Sequence, residues 1–146
     1  MKRVVVTGLG AVTPLGVGTD KTWNRVLTCE SGIGGIQGFD VSDLPCKIAG
    51  HVPPGETDQG EFNANDWVTP KDQRKMDKFI IFAIAAAKLA VEDSGWKAET
   101  EEQQERTGVL IGSGIGGLPG ISEGAVLIEK RGPRRLSPFF IPANLI

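Results

Sequence analysis

Apolar residues gather in three places along the chain, and each predicts a different element. Arg3 to Thr7 carries three consecutive valines closed by Gly8-Leu9-Gly10, the mark of a short strand buried on both faces. Thr107 to Ile111 repeats that pattern and runs into Gly112-Ser113-Gly114-Ile115-Gly116-Gly117. Between the two, Phe79 to Ala87 is apolar on every side and rich in alanine, which predicts a core helix packed on more than one face. Its boundaries are marked by Thr69 placed to cap, Pro70 at the first helical position, Asp72 three residues after the cap, and Ser94-Gly95 as a stop. The pattern predicts one helix from Thr69 to Gly95 with its first turns in solvent. A membrane span needs roughly 20 apolar residues, and this run is too short.

Weaker signals fill the remainder. Thr19-Asp20 is placed to cap a helix from Lys21 to about Glu30, with Trp23, Val26 and Leu27 on its inner side and Ser31-Gly32 as its stop. From Gly32 to Asn65 the chain is rich in Gly, Pro and Asp, and it is expected to be an ordered surface excursion with a short strand at Lys47 to Val52. Lys97 to Arg106 is a charged connection. A further helix is expected from Gly117 or Leu118 to about Lys130, weakened by Gly120 and Gly124. Gly132-Pro133 turns the chain, Ser137-Pro138 restarts structure, and Ala143 to Ile146 is expected to open a helix. Apolar strands followed by helices place the chain in the α/β class, with a parallel sheet covered on both faces.

Charge and composition narrow this picture. The chain of 146 residues is long enough for one domain, and its 16 basic and 18 acidic residues leave a net charge of −2. No nucleic-acid partner is expected, so any basic surface is local. One such surface is visible: Lys71, Arg74, Lys75 and Lys78 recur at i, i+3, i+4 and i+7 and share one helical face. They oppose the helix macrodipole, partly offset by Asp72 and Asp77. The face is either a solvated charged surface or a docking patch for an acidic partner. Cys29 and Cys46 form neither a disulfide framework nor a metal-ligand pattern, which fits a cytoplasmic setting. The valine run after Met1-Lys2-Arg3 breaks at Thr7-Gly8, so no targeting segment is expected.

Candidate chemistry is sparse. Both glycine loops follow apolar runs and invite a dinucleotide reading. In the first, Thr13 stands where a third glycine is required and Pro14 interrupts the helix. The second matches with Gly112, Gly114 and Gly117, but no following strand ends in an acidic residue that holds a ribose. The simpler reading is a turn in which small residues let backbones approach. His51 is the sole histidine and is expected at the surface, while Cys29 and Cys46 are expected to pack as small apolar groups. No nucleophile and base pair is evident, and no cofactor or metal is expected.

Several motifs occur together and in order: VVVTGLGAVTPLG at the start, SGI at 31 to 33, FD at 39 to 40, QRKMDKF at 73 to 79, the IGSGIGG loop, and GPRRLSPFFIP at 132 to 142. On these motifs the chain resembles the N-terminal part of the β-ketoacyl-acyl carrier protein synthase II family, condensing enzymes of bacterial fatty acid synthesis. The resemblance runs from Met1 to Ile146 and is weakest from Pro53 to Val68. It implies a thiolase-like αβαβα sandwich, of which residues 1–146 are most of the N-terminal half, one domain incomplete at its C-terminal end. It also implies a homodimer that condenses malonyl-carrier protein with an acyl chain held on a cysteine. That cysteine, two histidines and a lysine belong to later segments of the family, so the chain by itself is expected to be inactive. Cys29, Cys46 and His51 do not match them.

The resemblance also assigns residues here. Lys71, Arg74, Lys75, Arg134 and Arg135 match basic positions that contact the acidic acyl carrier protein, whereas Lys78 remains on the solvated face. Arg74 and Arg134 are the sharper candidates, since guanidinium pairs bidentately with carboxylate or phosphate. Ile115 matches a position lining the acyl pocket near the dimer interface, and Gly114 and Gly116 keep the backbone close. Two other functions stay open: a polyketide or nodulation-type ketosynthase, and a non-catalytic module that binds carrier protein.

Overall fold

The computed structural model describes residues 3–145. They form two compact units, one of the described residues up to Asp66 together with Ala85–Trp96, the other of Trp67–Ile84 together with the described residues from Lys97 onward.

In the first unit, β1 (Val12–Thr13) and β2 (Gly16–Val17) pair antiparallel, Val12 opposite Val17 and Thr13 opposite Gly16. The Thr13 hydroxyl holds the turn, accepting from the Leu15 N–H at 3.1 Å and donating to the Gly16 carbonyl at 3.2 Å. Val17 is buried, and its N–H reaches the Gly60 carbonyl at 3.0 Å. Helix α1 (Thr19–Leu27) starts earlier than its sequence signals indicate, because Gly18 is its N-cap. With φ at 94°, Gly18 takes a backbone angle that a side chain disfavours and turns the chain directly from β2 into the helix. Thr19 lies inside the helix, and its hydroxyl donates to the Leu9 carbonyl at 3.2 Å.

Two further expectations for this segment are corrected. Trp23, Val26 and Leu27 are exposed, not inward, because no element of the described residues covers that side of α1. The helix stops at Cys29, not at Ser31-Gly32. Cys29 has φ of 58°, its N–H bonds the Val26 carbonyl at 3.1 Å, and the Glu30 N–H bonds the Arg25 carbonyl at 2.9 Å. That bond pair is a Schellman motif with cysteine in the left-handed position that glycine prefers. Cys29 and Cys46 are both exposed, so neither packs as a core side chain.

The excursion from Gly32 to Asn65 is ordered around one antiparallel pair. Strand β3 (Ile33–Gly35) lies against β4 (Ile48–Gly50), Ile33 opposite Gly50, so the strand expected at Lys47 to Val52 is present in shortened form. His51 is exposed as expected, and its Nε2 accepts from the Gln37 N–H at 3.4 Å. Phe62 is buried and anchors the end of the excursion.

The long helix is two helices. Thr69 does cap α2 (Pro70–Gln73), accepting from the Asp72 N–H at 3.3 Å, but α2 stops after one turn. Asp77 then starts α3 (Lys78–Ser94). Its N–H is taken by the Ala143 carbonyl at 2.9 Å, its carboxylate accepts from the Phe79 N–H at 3.5 Å, and its carbonyl accepts from the Ile80 N–H at 3.1 Å. An aspartate in that position is a strong N-cap, and an amide bonded elsewhere cannot continue the preceding helix. The stop is as expected, since Gly95 adopts φ of 62° and donates to the Glu92 carbonyl at 3.2 Å. Residues to Ile84 belong to the second unit and those from Ala85 to the first. Ile81 and Ala85 are buried, Ala85 completely at 0% exposure.

In the second unit, α4 (Glu101–Glu105) interrupts the charged connection with a full capping box between Thr100 and Gln103. Helix α5 (Leu118–Arg131) follows within a residue of its expected bounds. A 3-10 turn at Pro133–Arg135 leads to α6 (Phe140–Asn144). The chain therefore ends α6 where a helix was expected to open. Ser137 has already turned it, its hydroxyl accepting from the Phe139 N–H at 3.1 Å and its carbonyl from the Phe140 N–H at 3.0 Å. Ile146 lies outside the described residues. Gly120 and Gly124 do not merely weaken α5. A Cβ on Gly120 would overlap the Asn144 side chain, and one on Gly124 would overlap the Phe140 ring. The two glycines, four residues apart, let α6 seat directly on the helix.

The two apolar segments expected as buried parallel strands are neither paired nor buried. Val4 is 95% exposed and Leu110 100%, and no strand is assigned at either segment. A strand exists only where a neighbour satisfies its N–H and C=O groups, and no such neighbour is among the described residues.

Candidate functional site

The five candidate cations, Gly114 and Ile115 all fall in the second unit. Lys71 and Arg74 lie on and just after α2, Lys75 follows, and Arg134 and Arg135 occupy the turn between α5 and α6. All five are exposed. The break at Asp77 separates Lys78 from the other cations, because α2 and α3 are distinct helices and no single face carries all four.

Among the described residues, one of the five is in an ion pair. The Lys75 ammonium lies 3.0 Å from Asp72 Oδ1, an exposed i, i+3 contact that is weak in water. Hydrogen bonds from Lys75 and from the Thr69 hydroxyl, together with the Lys75 charge, hold the Asp72 carboxyl below its usual range. A lowered carboxylate pKa means that this interaction is present above the ordinary value and fades as pH falls through the lowered one. At neutral pH Asp72 thus screens Lys75. Lys71, Arg74, Arg134 and Arg135 have no ion pair among the described residues, which leaves their charges open to solvent.

The second glycine loop divides in two. Gly112 and Gly114 face open space, with nothing within 4 Å of an added Cβ. Gly116 (φ 87°) and Gly117 are held against α6, the Gly117 N–H bonding the Asn144 carbonyl at 3.1 Å. Asn144 is itself buried, its amide donating to the Phe140 carbonyl at 2.7 Å. Close approach therefore applies to Gly116, not to Gly114. Ile115 projects from the loop at 72% exposure, so no cavity formed by the described residues encloses it.

The sequence profile of the family described as Beta-ketoacyl synthase, N-terminal domain, matches residues 1–145. The chain belongs to that family. It is 54% identical over 146 residues to the 3-oxoacyl-[acyl-carrier-protein] synthase 2 of Rhizobium meliloti, covering 100% of this chain and 35% of that protein. A solved β-ketoacyl synthase from Burkholderia phymatum superposes with a TM-score of 0.69 at 26% identity, over 97% of this chain and 33% of that one. A type II polyketide ketosynthase solved in complex with its acyl-carrier protein gives a TM-score of 0.71 at 20% identity, over 99% and 35%. The chain thus spans about a third of the length of these relatives, 35% for the Rhizobium protein. It has the fold of the corresponding part of the thiolase-like ketosynthases, as the motifs imply. Among the described residues, no helix is long and apolar enough to cross a membrane.

Two helix starts in this unit carry their signal in the sequence itself. Thr100-Glu-Glu-Gln103 spells a capping box, and Met76-Asp77 before an apolar helix spells an N-cap.

Proposed function

We propose that the chain is the N-terminal part of a cytoplasmic, homodimeric 3-oxoacyl-carrier protein synthase of type II fatty acid synthesis. Its 54% identity along the whole chain to a protein of that name carries the reading. The polyketide alternative is weaker, because the polyketide ketosynthase likeness is at 20% identity and speaks to fold alone.

In this reading the complete enzyme holds an acyl chain as a cysteine thioester. Malonyl-carrier protein loses CO₂, and the resulting carbanion attacks the thioester carbonyl. Collapse of the tetrahedral intermediate expels the cysteine thiolate and leaves a 3-oxoacyl chain, two carbons longer, on the carrier. The nucleophile and its bases belong to the remaining two thirds of the protein, so residues 1–146 alone do not catalyse the reaction. Lys71, Arg74, Lys75, Arg134 and Arg135 hold the acidic acyl carrier protein, and their exposed, mostly unpaired charges suit that task. Gly114 and Ile115 contribute to the wall of an acyl pocket that other surfaces complete.

The test supplies the full-length protein with acyl- and malonyl-carrier protein and follows the 3-oxoacyl product by mass. Arg74→Glu with Lys75→Glu should lower kcat/KM about tenfold at low salt, with less effect at high salt. No product with both carriers present would sink the enzymatic reading. Product formed equally well by the double variant at low salt would sink the docking assignment. Repeated extension by a single preparation, without reduction between rounds, would favour the polyketide alternative.

A further inference from the structure

The glycine loop that carries Ile115 is fixed at one end. Before Ile115, an added Cβ on Gly112 or Gly114 meets nothing within 4 Å. After it, the backbone is pinned. Gly117 has φ of −75° and ψ of 70°, and the Leu118 N–H bonds the Gly116 carbonyl at 2.9 Å, which makes an inverse γ-turn. The Gly117 carbonyl accepts from the Ile121 N–H at 3.0 Å and so opens α5. The Gly117 N–H goes to the Asn144 carbonyl at 3.1 Å.

Asn144 grips this root of the loop with its side chain as well. Its Nδ2 donates to the Phe140 carbonyl at 2.7 Å, four residues back on α6, which fixes the side chain. Its Oδ1 then fills the space that a Cβ on Gly117 or Gly120 would need. The preceding Ala143 carbonyl accepts from the Asp77 N–H at 2.9 Å, and Asp77 Oδ2 lies 2.8 Å from the Cβ position of Gly117. The end of α6, the start of α3 and the root of the loop meet at Gly117.

Packing alone does not call for an amide there. Asn144 is 6% exposed, and a buried amide costs free energy that its bond to Phe140 offsets, whereas an apolar side chain carries no such cost. What the amide adds is direction: an oxygen held against two glycines, which leaves the loop root one geometry. We infer that Asn144 is a positioning residue for acyl-chain length. Buried behind Gly117, it fixes where Ile115 stands and acts through that side chain rather than on the acyl chain. The inference rests on the reading of Ile115 as part of an acyl-pocket wall.

The test gives the full-length protein acyl-carrier substrates of different length in competition and reads the ratio of kcat/KM for long over short chains. Asn144→Ala frees the loop root and lets Ile115 yield, so the ratio should rise about threefold. Asn144→Thr keeps a hydroxyl able to donate to the Phe140 carbonyl, and should recover most of the original ratio. In an Ile115→Ala background the side chain to be positioned is gone, and Asn144→Ala should leave the ratio unchanged. Gly10→Ala, a destabilising change in the first unit, should lower stability without moving the ratio. A ratio unmoved by Asn144→Ala, while Ile115→Phe still shortens the accepted chains, overturns the inference and leaves the pocket reading standing. A ratio that moves as much in Gly10→Ala, or as much without Ile115 as with it, also overturns it, because Asn144 then acts by loosening the fold. A ratio that neither Asn144→Ala nor Ile115→Phe moves overturns both readings. If Asn144→Ala does not fold, Gly120→Ala, whose methyl group displaces the same side chain, carries the same comparison with the same outcomes.

Discussion

The two glycine-rich loops look alike in sequence, yet they are built for different ends. In the first, a Cβ on Gly10 would lie 2.6 Å from the Ala90 backbone nitrogen and closer still to the Ala86 carbonyl. A Cβ on Gly8 would lie 2.5 Å from the Ser94 nitrogen and overlap the Ala90 carbonyl. Ala86, Ala90 and Ser94 recur every four residues, so they form a stripe of small side chains on α3 against which the loop backbone lies flush. The Leu9 N–H completes the contact, donating to Asp93 Oδ2 at 2.8 Å. In the second loop, only Gly116 and Gly117 are packed, while Gly112 and Gly114 face open space. Glycine in the first loop is a packing residue throughout. In the second it is a packing residue at one end only.

The largest effect that sharpens this contrast is expected at Gly10. Gly10→Ala sets a methyl group against backbone atoms of α3, which cannot rotate away as a side chain can. A loss of about 2–3 kcal/mol is expected in the full-length protein, from overpacking partly offset by reduced unfolded-state entropy. Urea unfolding measures it, and a midpoint equal to that of the unaltered protein would break the packing account. Gly124→Ala should cost less, about 1 kcal/mol. There the obstacle is the Phe140 ring on a five-residue helix that can shift, and alanine favours the helix interior. A cost above that at Gly10 would reverse the ranking of rigid over yielding neighbours.

Local signals survived the passage from sequence to structure better than long-range ones. Thr69 caps, Gly95 stops and α5 begins at Leu118 as read, because each depends on residues within one turn of itself. The helix expected to run from Thr69 to Gly95 divides at Asp77, because the amide of Asp77 bonds Ala143, which is remote in sequence. No window of sequence around Asp77 contains that partner, although the aspartate itself was a readable cap. The valine runs failed for a related reason: apolar composition marks a strand as suited to burial, but pairing needs another strand. In the candidate site, the identity of the five cations came from motif resemblance. Their exposure and the Asp72 screen on Lys75 came only with coordinates.

The smallest effect on stability is expected at Gly114, and it separates packing from function most cleanly. Its φ lies outside the left-handed range, and an added Cβ meets nothing within 4 Å. Gly114→Ala should therefore shift stability by less than about 0.5 kcal/mol, in the stabilising direction if the unfolded chain loses freedom. If Gly114 and Ile115 line an acyl pocket, the same substitution narrows it, and Ile115→Phe narrows it further. Both full-length variants should accept shorter acyl chains than the unaltered enzyme, Ile115→Phe more strongly, as read by competing acyl-carrier substrates of different length. Ile115 is 72% exposed, so the larger ring has room here and need not disturb the fold. Unchanged stability with unchanged chain-length preference would leave these two residues with neither a packing nor a pocket role. Unchanged stability with shortened products would show a glycine kept for the space it leaves to a ligand, in contrast to Gly10, which leaves its space to a helix.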